Sequence, residues 1–220
     1  MREANKALRF IPFQLKYSVG QRRRAARPPY NLVGPGSTVI QVGAPFDTLE
    51  AGRSRALHLA LRTRNGGKVL IVEPSEESCL QLRRRIDQQE LHHVTIHHGG
   101  AWSEDTTLTL FSDPEHPATN FTGGTVDYDK ARIADFEQVS IPALSIPSLC
   151  EKYGLNEVDL LSVTVNGAEE DIVRGAASLL PGRIRYISLA GVDSDYEPFM
   201  AEYGYVFHSH DDRGFNFERS

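Results

Sequence analysis

Two positions in the first third of the chain could do chemistry together. Gly43 closes an apolar, β-branched run, and Glu73 closes a second such run about 30 residues later, directly before Pro74. A carboxylate at the tip of a second strand can accept both hydroxyls of a ribose, and a glycine at the tip of the first lets the backbone turn sharply beside it. The eight histidines invite a metal reading. The pairs His92-His93 and His97-His98 occupy adjacent positions, however, and adjacent residues of a strand point to opposite faces. Only His208 and His210 have one-face spacing, and no metal site is expected. A nucleoside triphosphatase needs a Gly-x-x-x-x-Gly-Lys-Ser/Thr cradle for phosphates, and a hydrolase needs a Gly-x-Ser-x-Gly elbow or a reactive cysteine. The chain has neither, and Cys79 and Cys150 sit in helical or apolar surroundings.

Such side chains need elements that place them. Residues 38–43 read as a buried strand and 49–64 as a helix, with Leu49, Arg53, Ala56, Leu57, Ala60 and Leu61 at helical spacing and Asn65-Gly66-Gly67 as the stop. A second strand covers 68–73, and Pro74-Ser75-Glu76-Glu77 opens a helix with a capping hydroxyl and two acids in its first turn. Residues 94–97 read as a third strand and 106–111 as an extra one, while 112–140 read as a long loop or lid. Beyond it come a short helix at 149–153, a strongly buried strand at 158–165, a helix at 167–180 and a strand at 185–190. A helix at 195–203 and an extended segment at 204–208, expected to close the sheet antiparallel, complete the pattern. Alternation of this kind predicts right-handed crossovers and a doubly wound α/β fold, its mostly parallel sheet covered on both faces.

The chain has 220 residues, 40% of them hydrophobic and 24% charged, which suits one sizeable domain with an arm and argues against disorder. We divide it into a basic N-terminal arm, 1–35, and a domain, 36–220. The formal charge of -5 is unevenly spread: the arm holds eight basic side chains against Glu3 alone, which leaves -12 for the rest. Nucleic acid is therefore disfavoured as a partner, because the acidic body would repel the phosphates that dominate such affinity. The apolar residues of the arm, Leu8, Phe10, Ile11, Phe13, Leu15 and Tyr17, call for a protein surface, either its own domain or a second subunit of a homo-oligomer. Peripheral contact with an anionic membrane also satisfies the composition, though Pro12 spoils a clean helical stripe. No apolar run approaches the ~18 residues of a membrane span. Two cysteines and no recognisable secretion signal lead us to expect a cytoplasmic setting.

Residues 38–73, 94–110 with His98-Gly-Gly-Ala-Trp102, 141–149 and above all 158–177, with the corner Asn166-Gly-Ala-Glu169 and Gly175-Ala176, together resemble the FkbM-type methyltransferases. The resemblance covers nearly all of 38–210. It implies the seven-stranded class I methyltransferase sheet with its last strands antiparallel, S-adenosyl-L-methionine as cofactor, and O-methylation of a small-molecule or glycan hydroxyl. By the same resemblance the cofactor would meet Gly43, Ala44, Glu73, Pro74, Ala101 and Trp102 at the first three strand tips, with Asn166 and Glu169 toward the sulfonium.

Departures from the family pattern fall in the same place. The usual Asp-x-Gly-x-Asn-x-Gly loop has Gln41, Pro45 and Asp47 at its Asp, Asn and second Gly positions, and Thr164 and Asn166 stand where acids are usual. Ser162 replaces a usual lysine, and the fifth strand ends Ser188-Leu-Ala-Gly191 without its usual glutamate. Arginines of Gly52-Arg-Ser-Arg55 could compensate or could be ordinary helix-surface residues. Methyl transfer asks for an in-line approach, a dry site and sometimes a base. Candidates for the base are Asp47, Asp193 and His208, with His116, Asp195 and His210 behind them. The rival to an enzyme is a relative that kept the fold as a binding or interaction module, and a third reading is an RNA methyltransferase using the basic arm.

Overall fold

The computed structural model describes residues 12–113, 120–122, 136–191 and 195–220. A central sheet is built from β1 (Thr38–Val42), β2 (Lys68–Glu73), β3 (Val94–His98), β8 (Val158–Val163), β9 (Ile184–Ala190), β10 (Tyr205–His210) and β11 (Gly214–Arg219). Its order is β10-β11-β9-β8-β1-β2-β3. All neighbours in it are parallel except β11, which runs antiparallel to both β9 and β10. The segment expected to close the sheet antiparallel is the edge strand β10, which pairs antiparallel with β11; β11 slots between it and β9. β11 escapes sequence reading because Phe215, Asn216 and Phe217 are all buried. An interior strand covered on both faces shows no alternation.

Between β3 and β8 lies a second sheet of β4 (Gly100–Ala101), β5 (Thr106–Ser112), β6 (Phe121–Thr122) and β7 (Glu137–Leu144), in the order β4-β7-β5-β6. The expected long loop therefore contributes strand residues in each of its three described parts. The rest of that loop, 114–119 and 123–135, lies outside the described residues.

Helices cover both faces of the central sheet. On one face α1 (Phe13–Arg24), α3 (Arg55–Arg62) and α4 (Glu76–Gln88) bury Tyr17, Leu57, Leu59 and Leu82 against Val39, Val69, Ile71 and Leu160. On the other, α5 (Ile146–Tyr153), α6 (Glu169–Gly175) and α7 (Glu197–Glu202) bury Leu149, Ile172, Val173 and Met200 against Ile40, Leu70, Leu161 and Ile187. The helix expected over 49–64 is two: α2 (Phe46–Glu50) and then α3, which starts afresh where the Ser54 hydroxyl accepts from Leu57 N at 3.3 Å. The new cap rotates the later apolar residues inward, so that Arg55 ends buried at 2% exposure.

The central sheet has one polar row. Gln41, Ser162, Ser188 and Asn216 are register partners across four strands and all are fully buried. Arg55 lies across this row, donating to Ser188 Oγ at 2.9 Å and to Asp211 Oδ1 at 2.7 Å. It is neither a cofactor ligand nor a surface arginine but the cation of a buried pair. No described helix is long and apolar enough to cross a membrane.

Candidate active site at the strand tips

β1, β2, β3 and β8 end on the same edge of the sheet, where the chain leaves toward opposite faces, and this is where such folds bind ligands. Gly43 makes the first turn with φ +82, and its missing Cβ is what allows contact with β8, since a side chain there would sit 2.2 Å from Thr164 O. Glu73 ends β2 with its carboxylate 3% exposed. Oε2 accepts from Ala44 N at 2.6 Å and Oε1 from Ser75 N at 2.9 Å. Burial pushes this carboxyl up to about 7; the two backbone donors pull it down and the charge of Asp47 adds to the rise. One N–H per oxygen leaves lone pairs on both, so the group can still receive two hydroxyls.

A cavity of about 100 Å³ opens onto Glu73. Gly43, Pro74, Ala101 and Asn166 line it too, so five of the eight expected contact residues meet there. Ala44 acts from behind through its N–H. Trp102 does not line the cavity; it packs on the apolar core shared with α5 and α6. Glu169 does not line the cavity either: burial raises its carboxyl to about 7, against the pull of the backbone N–H groups of its own residue, Gly167 and Val165 at the corner after β8. Both placements have one cause, which is that sequence position fixes the strand tip but not the direction of a side chain in the loop beyond it.

Where acids are usual, neutral groups hold one another. Gln41 Nε2 donates to the carbonyls of Val42 and Gly43, both at 2.9 Å, and to Thr164 Oγ1 at 2.8 Å, which binds the β1 tip to the β8 tip without charge. Gln41 Oε1 is buried and meets no donor among the described residues. The base candidates fare worse. Asp47 sits in the first turn of α2, accepts from Thr48 N at 2.8 Å, and does not line the cavity. His208 stands on the edge strand, three strands from β8, with its ring edge-on to Tyr186. Asp195 lies off the cavity, His210 lies in another one described below, and His116 and Asp193 are outside the described residues. Among the described residues no group of three His, Cys, Asp or Glu side chains could hold a metal ion.

The roof is what sequence reading missed. Leu108, Leu110 and Ile141 from β5 and β7, with Asn120, Phe121 and Thr122, close the cavity from above. Phe121 stacks on Phe111 at 4.9 Å, Asn120 Oδ1 accepts from Asp113 N at 2.8 Å, and Asn166 Nδ2 donates to Asn120 O at 2.6 Å. Alternation at 106–111 signals the strand, but nothing in it signals which surface the strand would cover.

Seven strands in this order, with one antiparallel strand inserted next to the edge and a carboxylate at the second tip, define a class I methyltransferase fold. The sequence matches the family described as Methyltransferase FkbM domain over residues 41–207, and the chain belongs to that family. Among solved structures it is similar to the methyltransferase FkbM from Methylobacillus flagellatus KT, with 14% identity and a TM-score of 0.52. That likeness covers 84% of this chain and 44% of the other, so the chain spans less than half the length of that relative. It is also similar to Aeropyrum pernix fibrillarin in complex with natively bound S-adenosyl-L-methionine, with 15% identity over 92% of this chain and 74% of the other, at a TM-score of 0.45. No curated protein matches the sequence.

The residues present fit the nucleoside end of the family's cofactor, because Glu73 offers a free lone pair on each oxygen beside a cavity. The enclosed space is smaller than the ~300 Å³ at which small-molecule sites begin. Asn120, Phe121 and Thr122 narrow that space from one side.

Proposed function

We propose that the protein binds S-adenosyl-L-methionine at the tips of β1, β2 and β3 and methylates a hydroxyl oxygen of a small-molecule or glycan acceptor, in the cytoplasm. The observation that carries this reading is Glu73: a buried carboxylate at the second strand tip, facing a cavity, with acceptor capacity left on both oxygens. When bound, the cofactor supplies an electrophilic methyl carbon on a sulfonium. Glu73 would hold its ribose hydroxyls, Gly43 would keep the backbone clear of it, Pro74 and Ala101 would flank its base, and Asn166 would face its sulfonium end. Leu108, Leu110 and Phe121 exclude water above, which strengthens every polar contact beneath them. Both cysteines are free and buried, in keeping with a reducing compartment.

A second reading, a relative that binds the cofactor without turnover, is supported by the neutral Gln41–Thr164 contact and by Glu73 being the one carboxylate among the described lining residues. Calorimetry with S-adenosylhomocysteine, followed by transfer of a labelled methyl group to a panel of hydroxyl acceptors, separates the two. Binding with transfer supports the enzyme, binding alone the second reading, and absence of both heat and thermal shift refutes both. Glu73→Ala should weaken binding by about 1 to 3 kcal/mol.

A further inference from the structure

A second cavity, of about 640 Å³, lies between the end of α1 and the β10–β11 hairpin. It shares no lining residue with the tip cavity, and α2 stands between them, with Pro45 lining one and Ala51 and Gly52 the other. Its volume falls within the range of small-molecule sites, about 300 to 1,000 Å³.

One wall is cationic. Arg23, Arg24 and Arg27 line it, and none of the three forms an ion pair among the described residues, where the pairs involve Arg55, Arg174 and Arg185. A helix C-terminus favours basic residues, which accounts for finding arginines at the end of α1. It does not account for three arginines lining one concavity, Arg24 with its Nη1 3.3 Å from His58 Nε2 at the base. Their placement is fixed from below. Gly20 brings α1 so close to α3 that a Cβ there would lie 2.6 Å from the His58 ring, and Gln21 Nε2 donates to His58 O at 2.9 Å. Arg24 then spreads over the buried ring of Tyr30, 6.0 Å from its centroid.

The facing wall is different. Asp212 is 69% exposed there, with Oδ1 3.7 Å from Arg55 Nη2, and His210 lies beside it, while Asp211 takes the closer contact with Arg55 at 2.7 Å. Leu15 and Val19, which are 54% and 43% exposed, form an apolar side. An ionised carboxylate only accepts hydrogen bonds, so Asp212 suits hydroxyl donors, whereas guanidinium groups suit a phosphate or carboxylate in bidentate contact. Carboxylates on one wall repel a continuous polyanion and an anionic bilayer surface alike.

We propose that this cavity is a binding site for a small anionic polyol, a sugar phosphate in chemical class, with Arg23, Arg24 and Arg27 on the phosphate and Asp212 on the hydroxyls. The site stands whether or not the tip cavity binds a methyl donor. Calorimetry on the full chain with glucose 6-phosphate, inorganic phosphate and glucose tests it. Glucose 6-phosphate should bind at least tenfold tighter than phosphate, and glucose should give no heat. Arg23→Ala/Arg27→Ala, two exposed positions whose replacement should leave the melting temperature unchanged, should weaken glucose 6-phosphate at least tenfold. Asp212→Ala should weaken glucose 6-phosphate and leave phosphate binding as it was. The proposal is overturned if neither anion binds, if the arginine variant binds normally, or if phosphate binds as tightly as the sugar phosphate. It is equally overturned if a short single-stranded RNA displaces glucose 6-phosphate with steep salt dependence, which would make the arginine wall a nucleic-acid contact.

Discussion

Glu73 and Glu169 are both carboxyls held near 7 by burial, yet one faces a cavity and the other does not line it. The difference is legible in the partners: Glu73 takes one backbone N–H on each oxygen and keeps capacity, while the backbone N–H groups of three residues pull on Glu169. If ribose hydroxyls bind the ionised form of Glu73, affinity for S-adenosylhomocysteine should rise as pH climbs through about 7 and level off above it. Calorimetry from pH 5.5 to 8.5 reads this, and Glu73→Gln should flatten the profile. Arg55 and Asp211 make a second residue-scale case. With side chains 1% and 2% exposed, the pair is out of water, so Asp211→Ala should cost about 3 kcal/mol, because it leaves the buried cation only the exposed Asp212 carboxylate at 3.7 Å. A denaturant titration should show that loss, and adding Arg55→Met to it should recover most of the stability.

At the scale of elements, the second sheet decides what the strand tips can do. β6 pairs with β5 through two residues only, Leu110 with Thr122 and Phe111 with Phe121. Among the described residues, hydrogen bonds from Asp113 N to Asn120 Oδ1 and from Asn166 Nδ2 to Asn120 O hold this roof beside the stack of Phe121 on Phe111. Asn120 is the joint: its Oδ1 accepts from Asp113 N, while its buried Nδ2 meets no acceptor among the described residues. Asn120→Ala removes one bond and one buried orphan together, and its effect on stability should stay within about 1 kcal/mol. Association of S-adenosylhomocysteine, followed by stopped-flow fluorescence, should nevertheless become several-fold faster, because Asn120 narrows the space the ligand enters.

For the molecule as a whole, the described part of the basic segment, 12–35, is part of the fold. Tyr17, Tyr30 and Val33 are buried in the same cluster as Leu57 and Leu82, and Tyr17 OH donates to Leu49 O at 3.1 Å. Removing residues 1–33 uncovers that cluster, and the truncated chain should melt lower and aggregate, as size-exclusion chromatography would report. His58 is the residue against which α1 lies. Burial first and the charge of Arg24 next hold it down to about 4, with Arg213 acting the same way, Asp212 opposing, and the Gly52 carbonyl accepting from its ring. The unfolded chain takes up this proton below about 6.5 and the folded chain does not, so His58 contributes stability that is lost as pH falls from about 6.5 to about 4. Glu73 and Glu169 work in the opposite sense, holding protons that the unfolded chain gives up above about 4.5. The comparison to make is therefore between wild type and His58→Asn: their urea midpoints should converge as pH drops through that window.

Local sequence determined the parts of this protein that depend on short-range physics. β-branched runs made β1, β2 and β8, Ser75 with its two following acids started α4, and the glycine at 43 with the glutamate at 73 marked two strand tips that do meet at one cavity. Periodicity reports how a residue is buried by its own element, and it is strongest where one face is wet. It was silent on β11, covered on both sides, and on the break between α2 and α3, where a capping serine restarts the helix within an unbroken apolar pattern. Only tertiary structure decided that Trp102 and Glu169 do not line the cavity, that Arg55 is an interior cation, that Asn120–Thr122 roofs the tips, and that three arginines of α1 and its following turn share a concavity with Asp212. Each of these is set by contact between segments tens of residues apart, Asn166 with Asn120 or Arg55 with Asp211, and such contacts leave no trace in the local pattern of either segment.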